Sequence, residues 1–213
     1  MKQESIQSFY VIGTSAGAGH ALSLMHYFKD RVIAGAIIAP TCPTDVEKEL
    51  GMEKKINPTT YKVRKLLETR VVGDLMAWAL SCLSAYQRTS VSPDVKRGLD
   101  RLQSEGTGDV VREFYADGDY AVSYTFRGWT DNMRTLNGWR TTSFDLSKIK
   151  SKAIIVTAED DITNPWEMAK WLKNSVSSSV LLQIDNGYGH LFSLLPKNFE
   201  IILQAMLTLQ RKD

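Results

Sequence analysis

The sequence lacks an excess of charge of either sign, and this limits the partners that it can have. Its 26 lysines and arginines nearly balance 24 acidic residues, so the formal net charge is +2. So small an excess does not provide the basic surface that nucleic acid or an anionic membrane requires. We therefore expect neither as a partner.

Cysteine is scarce as well, and long apolar runs are missing. Only Cys42 and Cys82 occur in 213 residues, which fits a reducing compartment better than a disulfide scaffold. The N-terminal MKQESIQSF has no apolar signal-peptide segment. The longest apolar stretch, VVGDLMAWALSCLSAY, is broken by Asp74 and is too short to cross a bilayer. These absences predict a cytoplasmic protein.

Metal-site spacing is absent too. The three histidines, His20, His26 and His190, are not spaced as metal ligands, and the sequence contains no Cys/His cluster. We therefore predict no metal.

The order of elements indicates an α/β protein. Apolar segments that predict strands are SFYVIG, RVIAGAIIAP, KAIIVTAE and SVLLQID. Helical patterns lie between them, and LFSLLPKNFEIILQAMLTLQ predicts a closing amphipathic helix. Strands that alternate with helices predict a mostly parallel sheet with flanking helices. We predict a core from residues 1–40 and 150–213, and a helical cap inserted as residues 41–149.

One segment, YVIGTSAGAGHAL, fits two chemistries. As Gly13-Thr14-Ser15-Ala16-Gly17 it is a G-x-S-x-G nucleophile elbow, in which a serine occupies a sharp strand-to-helix turn. As G-x-x-x-G-x-G, through Gly13, Gly17 and Gly19, it resembles the glycine pattern of short-chain dehydrogenases. That resemblance implies a protein that binds NAD(P).

The dehydrogenase resemblance implies further motifs, which are displaced or missing. A Tyr-x-x-x-Lys pair is present as Tyr61 and Lys65, but it lies about forty residues beyond the glycines, where that family has well over a hundred. The second strand ends in IIAPTCP, without the acidic residue that binds the ribose, and the family's Asn-Ala-Gly segment is absent. Tyr61 and Lys65 fit an i, i+4 pair on a cap helix. NAD(P) binding is therefore the lesser alternative, and we expect no cofactor.

Two downstream segments support the elbow interpretation. IIVTAEDDITNPWEMAKWL resembles the α/β-hydrolase pattern of a strand, G-x-x-D and a helix-opening proline, with Ala158 in place of glycine and Asp161 at the acid position. LLQIDNGYGHLFSLLPKNF resembles the family's Gly-His after the last strand, with His190 as the base. The resemblance to the α/β-hydrolase superfamily covers residues 9–40 and about 139–207.

The resemblance implies a Ser15–Asp161–His190 triad. His190 would take the proton of Ser15 and deliver it to the leaving group, while Asp161 would hold the imidazole tautomer. The Ala16 N–H would donate to the oxyanion. Gly13 and Gly17 would permit a strained turn and a close approach of strand and helix. Ser15 has an alternative role as a helix N-cap, and the rivals of Asp161 are Asp160 and Asp45.

The resemblance also implies strands that this sequence does not show. The family has four or five strands before the elbow, and one of their loops supplies the second oxyanion donor. Only about eight residues precede the first predicted strand here, so we expect the chain to match the C-terminal part of the fold. Two function classes follow: a serine hydrolase that acts on a small carboxylic ester or related acyl substrate, or a non-catalytic remnant or interaction protein. The first strand would then lie at an edge of the sheet, so we expect residues 8–12 to be covered by a second copy in a homo-oligomer, by the N-terminal tail or cap, or by a missing upstream segment.

Overall fold

The computed structural model describes residues 6–56, 58, 61–62, 65–66, 69, 71–73, 75, 93–123, 144–185 and 187–209. The four strands with defined bounds in these residues are β1 (Phe9–Thr14), β2 (Val32–Ile38), β3 (Lys152–Thr157) and β4 (Ser179–Gln183). The helices with defined bounds are α1 (Gly17–Tyr27), α2 (Thr44–Glu49), α3 (Pro93–Ser104), α4 (Gly108–Ser123), α5 (Trp166–Ser175) and α6 (Pro196–Leu209). Three short 3₁₀ helices are Met52–Lys54, Leu146–Lys148 and Gly189–Leu194.

The strands form one parallel sheet in the order β1-β2-β3-β4, which confirms the predicted α/β architecture. In register, Gly13 pairs with Ile37, Ile37 with Ile155, and Ile155 with Leu181. The central strands are buried on both faces, which explains why VIAGAII and KAIIVT are nearly continuous apolar runs.

Each face of the sheet has its own hydrophobic core. On one face α1 and α5 contribute Leu22, Met25 and Leu172, which pack with Ile37 and Ile155. On the other face α6 packs on β2 and β3 in a cluster that includes Leu99, Leu102, Ile202, Met206, Ala36, Ile154 and Val156. Helix α3, which supplies Leu99 and Leu102 and lies within residues 41–149, packs against the 3₁₀ helix Gly189–Leu194 and against α4.

Much of the predicted cap lies outside the described residues. The segment with helical periodicity at residues 61–88 is described only at scattered positions, and Cys82 is not among them. A cap at residues 41–149 therefore stays a prediction. Within the described residues, no helix combines the length and apolar character needed to cross a bilayer.

The C-terminal helix differs from the prediction. A 3₁₀ helix, Gly189–Leu194, comes first, and α6 begins only at Pro196. Leu195 has extended backbone, φ −71° and ψ 121°, because a residue before proline is disfavoured in the α region. Proline is favoured as a first helical residue, which needs no N–H bond.

Candidate active site

Ser15 occupies the turn between β1 and α1 with a left-handed backbone, φ 53°. Few non-glycine residues adopt this conformation, and those that do are found at strained turns. The Ser15 N–H donates to the Ile38 carbonyl at 2.8 Å, and its carbonyl accepts from Ala18 N–H at 3.1 Å. The backbone on both sides of the turn is thus anchored, while the side chain lies at the carboxyl edge of the sheet.

The two glycines of the elbow differ in what surrounds them. A Cβ on Gly13 would lie 2.6 Å from both Ala21 Cβ and the Gly17 carbonyl oxygen, so β1 and α1 approach closely only because this residue is glycine. A Cβ on Gly17 would meet no heavy atom within 4 Å among the residues described. Among the described residues, a side chain would therefore be crowded at Gly13 and not at Gly17.

Asp161 follows β3 and is 2% exposed. Its Oδ1 accepts backbone N–H bonds from Thr163 at 3.0 Å and Asn164 at 2.8 Å. Its Oδ2 is 2.9 Å from His190 Nδ1. Two backbone donors therefore fix the carboxylate in an orientation that presents its second oxygen to the imidazole.

His190 lies in the 3₁₀ helix after β4, and its Nε2 is 3.0 Å from Ser15 Oγ. Since a carboxylate only accepts, Nδ1 carries the proton that faces Asp161, and Nε2 is left to accept the hydroxyl hydrogen of Ser15. Ser15, Asp161 and His190, separated by up to 175 positions in sequence, thus form one hydrogen-bonded chain.

The loop that carries His190 is anchored on two sides. Asp160 Oδ2 accepts from the Gly189 N–H at 2.9 Å. Arg101 of α3 lies over the Tyr188 ring, 4.5 Å from its centre. Burial raises the pKa of Tyr188 above its usual 10.0, and a hydrogen bond with Glu105 raises this pKa further. The phenol of Tyr188 therefore ionises less readily than that of a free tyrosine.

The other residues considered from the sequence have different surroundings. Asp160 contacts the His190 loop through Gly189, and Asp45 Oδ1 accepts from the neighbouring Val46 N–H. His26 on α1 lies against the Phe144 ring, 5.4 Å between ring centres. Ala16 precedes α1 in a helical conformation, φ −58°, where the first N–H groups have no partner within the helix. Its role as an oxyanion donor stays a prediction.

Sequence reasoning missed one residue at this site, Asn164. Its side-chain Nδ2 lies 2.7 Å from the Ala39 carbonyl oxygen and 3.4 Å from Ser15 Oγ. No periodicity or family motif singles out this residue. The one available signal is its place in the polar loop after a buried strand, three residues beyond the predicted acid.

Across the described part of the chain, no three His, Cys, Asp or Glu side chains are placed to bind a metal ion together. The hydrogen-bonded chain at the carboxyl edge of the sheet defines the candidate site.

Comparison with solved structures identifies the fold. The chain matches the α/β hydrolase MGS-M2 from a Medee basin deep-sea metagenome library (TM-score 0.62, 17% identity, 96% of this chain and 66% of that one). It also matches an acetylester hydrolase from Corynebacterium glutamicum (TM-score 0.58, 19% identity, 99% and 62%). A third match is a serine hydrolase from the polyaromatic-hydrocarbon-degrading bacterium Cycloclasticus zankles (TM-score 0.56, 18% identity, 99% and 67%).

The present chain thus spans about two thirds of the length of these structures. No protein-family model matches the sequence, and neither does any curated protein. At 17–19% identity the likeness establishes the fold, and activity has to be argued from the site. The parallel sheet, its flanking helices and these matches together show that the chain has the α/β-hydrolase fold.

Proposed function

We propose that this protein is a serine hydrolase that acts on a carboxylic ester or a related acyl substrate. The observation that carries the proposal is the hydrogen-bond chain from Asp161 through His190 to Ser15, with heavy-atom distances of 2.9 and 3.0 Å. The left-handed Ser15 at the end of β1 supports it, since a strained turn exposes a nucleophile at the sheet edge. The similarity to an acetylester hydrolase and a serine hydrolase supports the same reaction class.

The reaction follows from this geometry. His190 Nε2 takes the hydroxyl proton as Ser15 Oγ bonds to the substrate's carbonyl carbon, and the carbonyl oxygen becomes an oxyanion. The intermediate collapses, the bond to the alkoxy group breaks, and the imidazolium returns the proton to the leaving alcohol. Water then attacks the acyl-serine by the same route and releases the acid. Asp161 stays ionised throughout and stabilises the imidazolium.

The oxyanion needs donors of its own. The Ala16 N–H, at the start of α1, is the donor that we assign from this chain. Loss of one oxyanion donor lowers the rate of an acyl-transfer enzyme by roughly 10²–10³-fold. We therefore expect slow but measurable turnover if Ala16 acts alone.

The two alternative functions explain fewer of the observed contacts. Binding of a dinucleotide does not require a serine hydroxyl that is hydrogen-bonded to a histidine. A non-catalytic remnant or interaction protein would keep the contacts without reactivity, so labelling of the serine decides between it and the hydrolase.

The first prediction concerns Ser15. A fluorophosphonate probe should label the intact chain, and Ser15→Ala should abolish both labelling and hydrolysis of p-nitrophenyl acetate, because the attacking oxygen is gone. Ser23→Ala, a partly buried serine on α1, is the matched control and should label normally. Labelling that survives Ser15→Ala would disprove the assignment, and an unlabelled, folded wild-type chain would favour the remnant.

A further inference from the structure

Asn164 joins the ends of three neighbouring strands. It follows β3 and is 1% exposed. Its Nδ2 is 2.7 Å from the carbonyl oxygen of Ala39, which follows β2, and 3.4 Å from the Oγ of Ser15, which follows β1. Its backbone N–H donates to Asp161 Oδ1. One buried side chain thus contacts the serine directly while its backbone contacts the acid.

The Ala39 carbonyl fixes which way the Asn164 amide faces. A carbonyl oxygen can only accept, so the amide NH₂, and not its oxygen, must lie at 2.7 Å from it. Ala39 itself is in the left-handed region, φ 45°, and its N–H is bound to the Val156 carbonyl at 2.8 Å. The acceptor is therefore held in place, and the second hydrogen of the same NH₂ remains for Ser15 Oγ.

That second hydrogen determines where the serine hydroxyl points. A hydroxyl has one hydrogen and two lone pairs. With one lone pair of Ser15 Oγ directed at Asn164, the hydrogen is free to lie along the 3.0 Å path to His190 Nε2. The remaining lone pair is then the one available to a carbonyl carbon. Without Asn164 the hydroxyl could rotate and offer its hydrogen to other acceptors.

We propose that Asn164 is a positioning residue whose side-chain NH₂ donates to Ser15 Oγ and directs the serine hydrogen to His190. The proposal rests on the proposed function for its effect on rate, but the hydrogen-bond arrangement itself is independent of turnover. The competing explanation is purely structural: Asn164 would only tie the loop after β3 to Ala39.

A spectroscopic double-mutant cycle separates these explanations without any need for activity. The ¹⁵N chemical shift of His190 Nε2, in protein with labelled histidine, reports whether a hydroxyl donates to this nitrogen. Asn164→Ala should move the resonance towards its position in Ser15→Ala, and should move it no further when added to Ser15→Ala. A change of equal size in both backgrounds, or no change, would overturn the proposal, since Asn164 would then not act through Ser15.

Kinetics provide the second readout. Asn164→Ala should lower kcat for p-nitrophenyl acetate by about 10- to 100-fold, the range expected for a misplaced reacting group, with KM changed little. Asn164→Asp, which preserves the shape but removes the donor, should lose as much and serves if the alanine variant does not fold. The matched control is Ser179→Ala at the start of β4, a buried polar residue whose Oγ donates to a backbone carbonyl, that of Val176, at 2.6 Å, away from the carboxyl edge of the sheet.

The control defines what loss of a buried side-chain hydrogen bond to the backbone does by itself. Ser179→Ala should reduce thermal stability but leave kcat per folded molecule near the wild-type value. Equal kcat losses in the two alanine variants would overturn the positioning role. If the wild-type protein neither hydrolyses the ester nor reacts with the fluorophosphonate probe, the proposed function is wrong. The chemical shifts of His190 Nε2 in the double-mutant cycle still show whether Asn164 donates to Ser15 Oγ.

Discussion

Two adjacent aspartates after β3 perform different tasks at the residue scale. Asp161 Oδ2 bonds the His190 ring at 2.9 Å, whereas Asp160 Oδ2 bonds the backbone N–H of Gly189 at the same distance. One carboxylate orients the imidazole, and the other holds the loop in which the imidazole lies. Their side chains are interchangeable in charge but not in position.

This division predicts unequal effects of the same substitution. Asp161→Asn should lower kcat by roughly 10⁴-fold, because an amide can also donate and then favours the wrong imidazole tautomer. Asp160→Asn keeps an oxygen acceptor for Gly189, so its loss should be below about tenfold. Steady-state ester hydrolysis by the two variants, with melting temperatures as a folding control, measures both. Equal losses would contradict the division, and a reversed order would make Asp160 the acid.

Single residues also mark the limit of sequence reasoning. Ser15, Asp161 and His190 were predicted because each follows an apolar strand in an order that a known family shares. Asn164 could not be predicted, because its role depends on where Ala39 and Ser15 lie once β1, β2 and β3 are aligned. The motif likewise does not tell which of its glycines lacks room for a Cβ, because that depends on the path of the chain: Gly13 has none, whereas the space beside Gly17 is open among the described residues.

At the scale of elements, helix α3 packs against the 3₁₀ helix Gly189–Leu194, which carries His190. A Cβ on Gly98 would lie 2.6 Å from the Tyr188 carbonyl oxygen and 3.1 Å from Leu191 Cβ. The helix therefore approaches the loop this closely only at a glycine, and Leu102 of the same helix is fully buried in the core beneath.

This contact predicts that Gly98→Ala destabilises the fold. Overpacking against backbone should lower the free energy of unfolding by about 1–3 kcal/mol, although alanine is the better helix former. Gly108→Ala, on α4 with open space at its Cβ position among the described residues, is the matched control and should be neutral or slightly stabilising. Urea denaturation of both variants measures the difference. A Gly98→Ala protein as stable as the control would show that α3 does not pack against this loop.

Elements were predicted unevenly, for physical reasons. The strands agree with their predicted segments to within one or two residues, since apolar runs bounded by polar residues define a buried parallel strand well. The break before Pro196 was missed because the apolar pattern continues across it. The packing partner of α3 was not predicted, because an amphipathic pattern shows that one face of a helix is buried but does not identify what that face packs against.

At the scale of the whole molecule, β1 lies at the edge of the sheet. Among the described residues it pairs with β2 alone. Ile12 of β1 is 41% exposed, and Leu24, Tyr27 and Phe28 near the end of α1 are 40–59% exposed. An unpaired strand edge beside exposed apolar side chains favours addition of a further strand. We therefore still expect this edge to be covered by a second copy of the chain, by the N-terminal tail or cap, or by an upstream segment.

The second-copy alternative predicts self-association through β1 that depends on concentration and on charge at Ile12. Light scattering after size exclusion should give a mass above that of one chain, and Ile12→Lys should restore the monomer, because a buried lysine in the contact is unfavourable. Leu207→Lys on α6, where the replaced side chain is 44% exposed, is the matched control and should leave the mass unchanged. Hydrogen exchange locates the contact: the amides of Phe9–Thr14 should exchange more slowly in the wild type than in Ile12→Lys. A wild-type monomer at all concentrations, with equal β1 exchange in both proteins, would exclude a second copy at this edge.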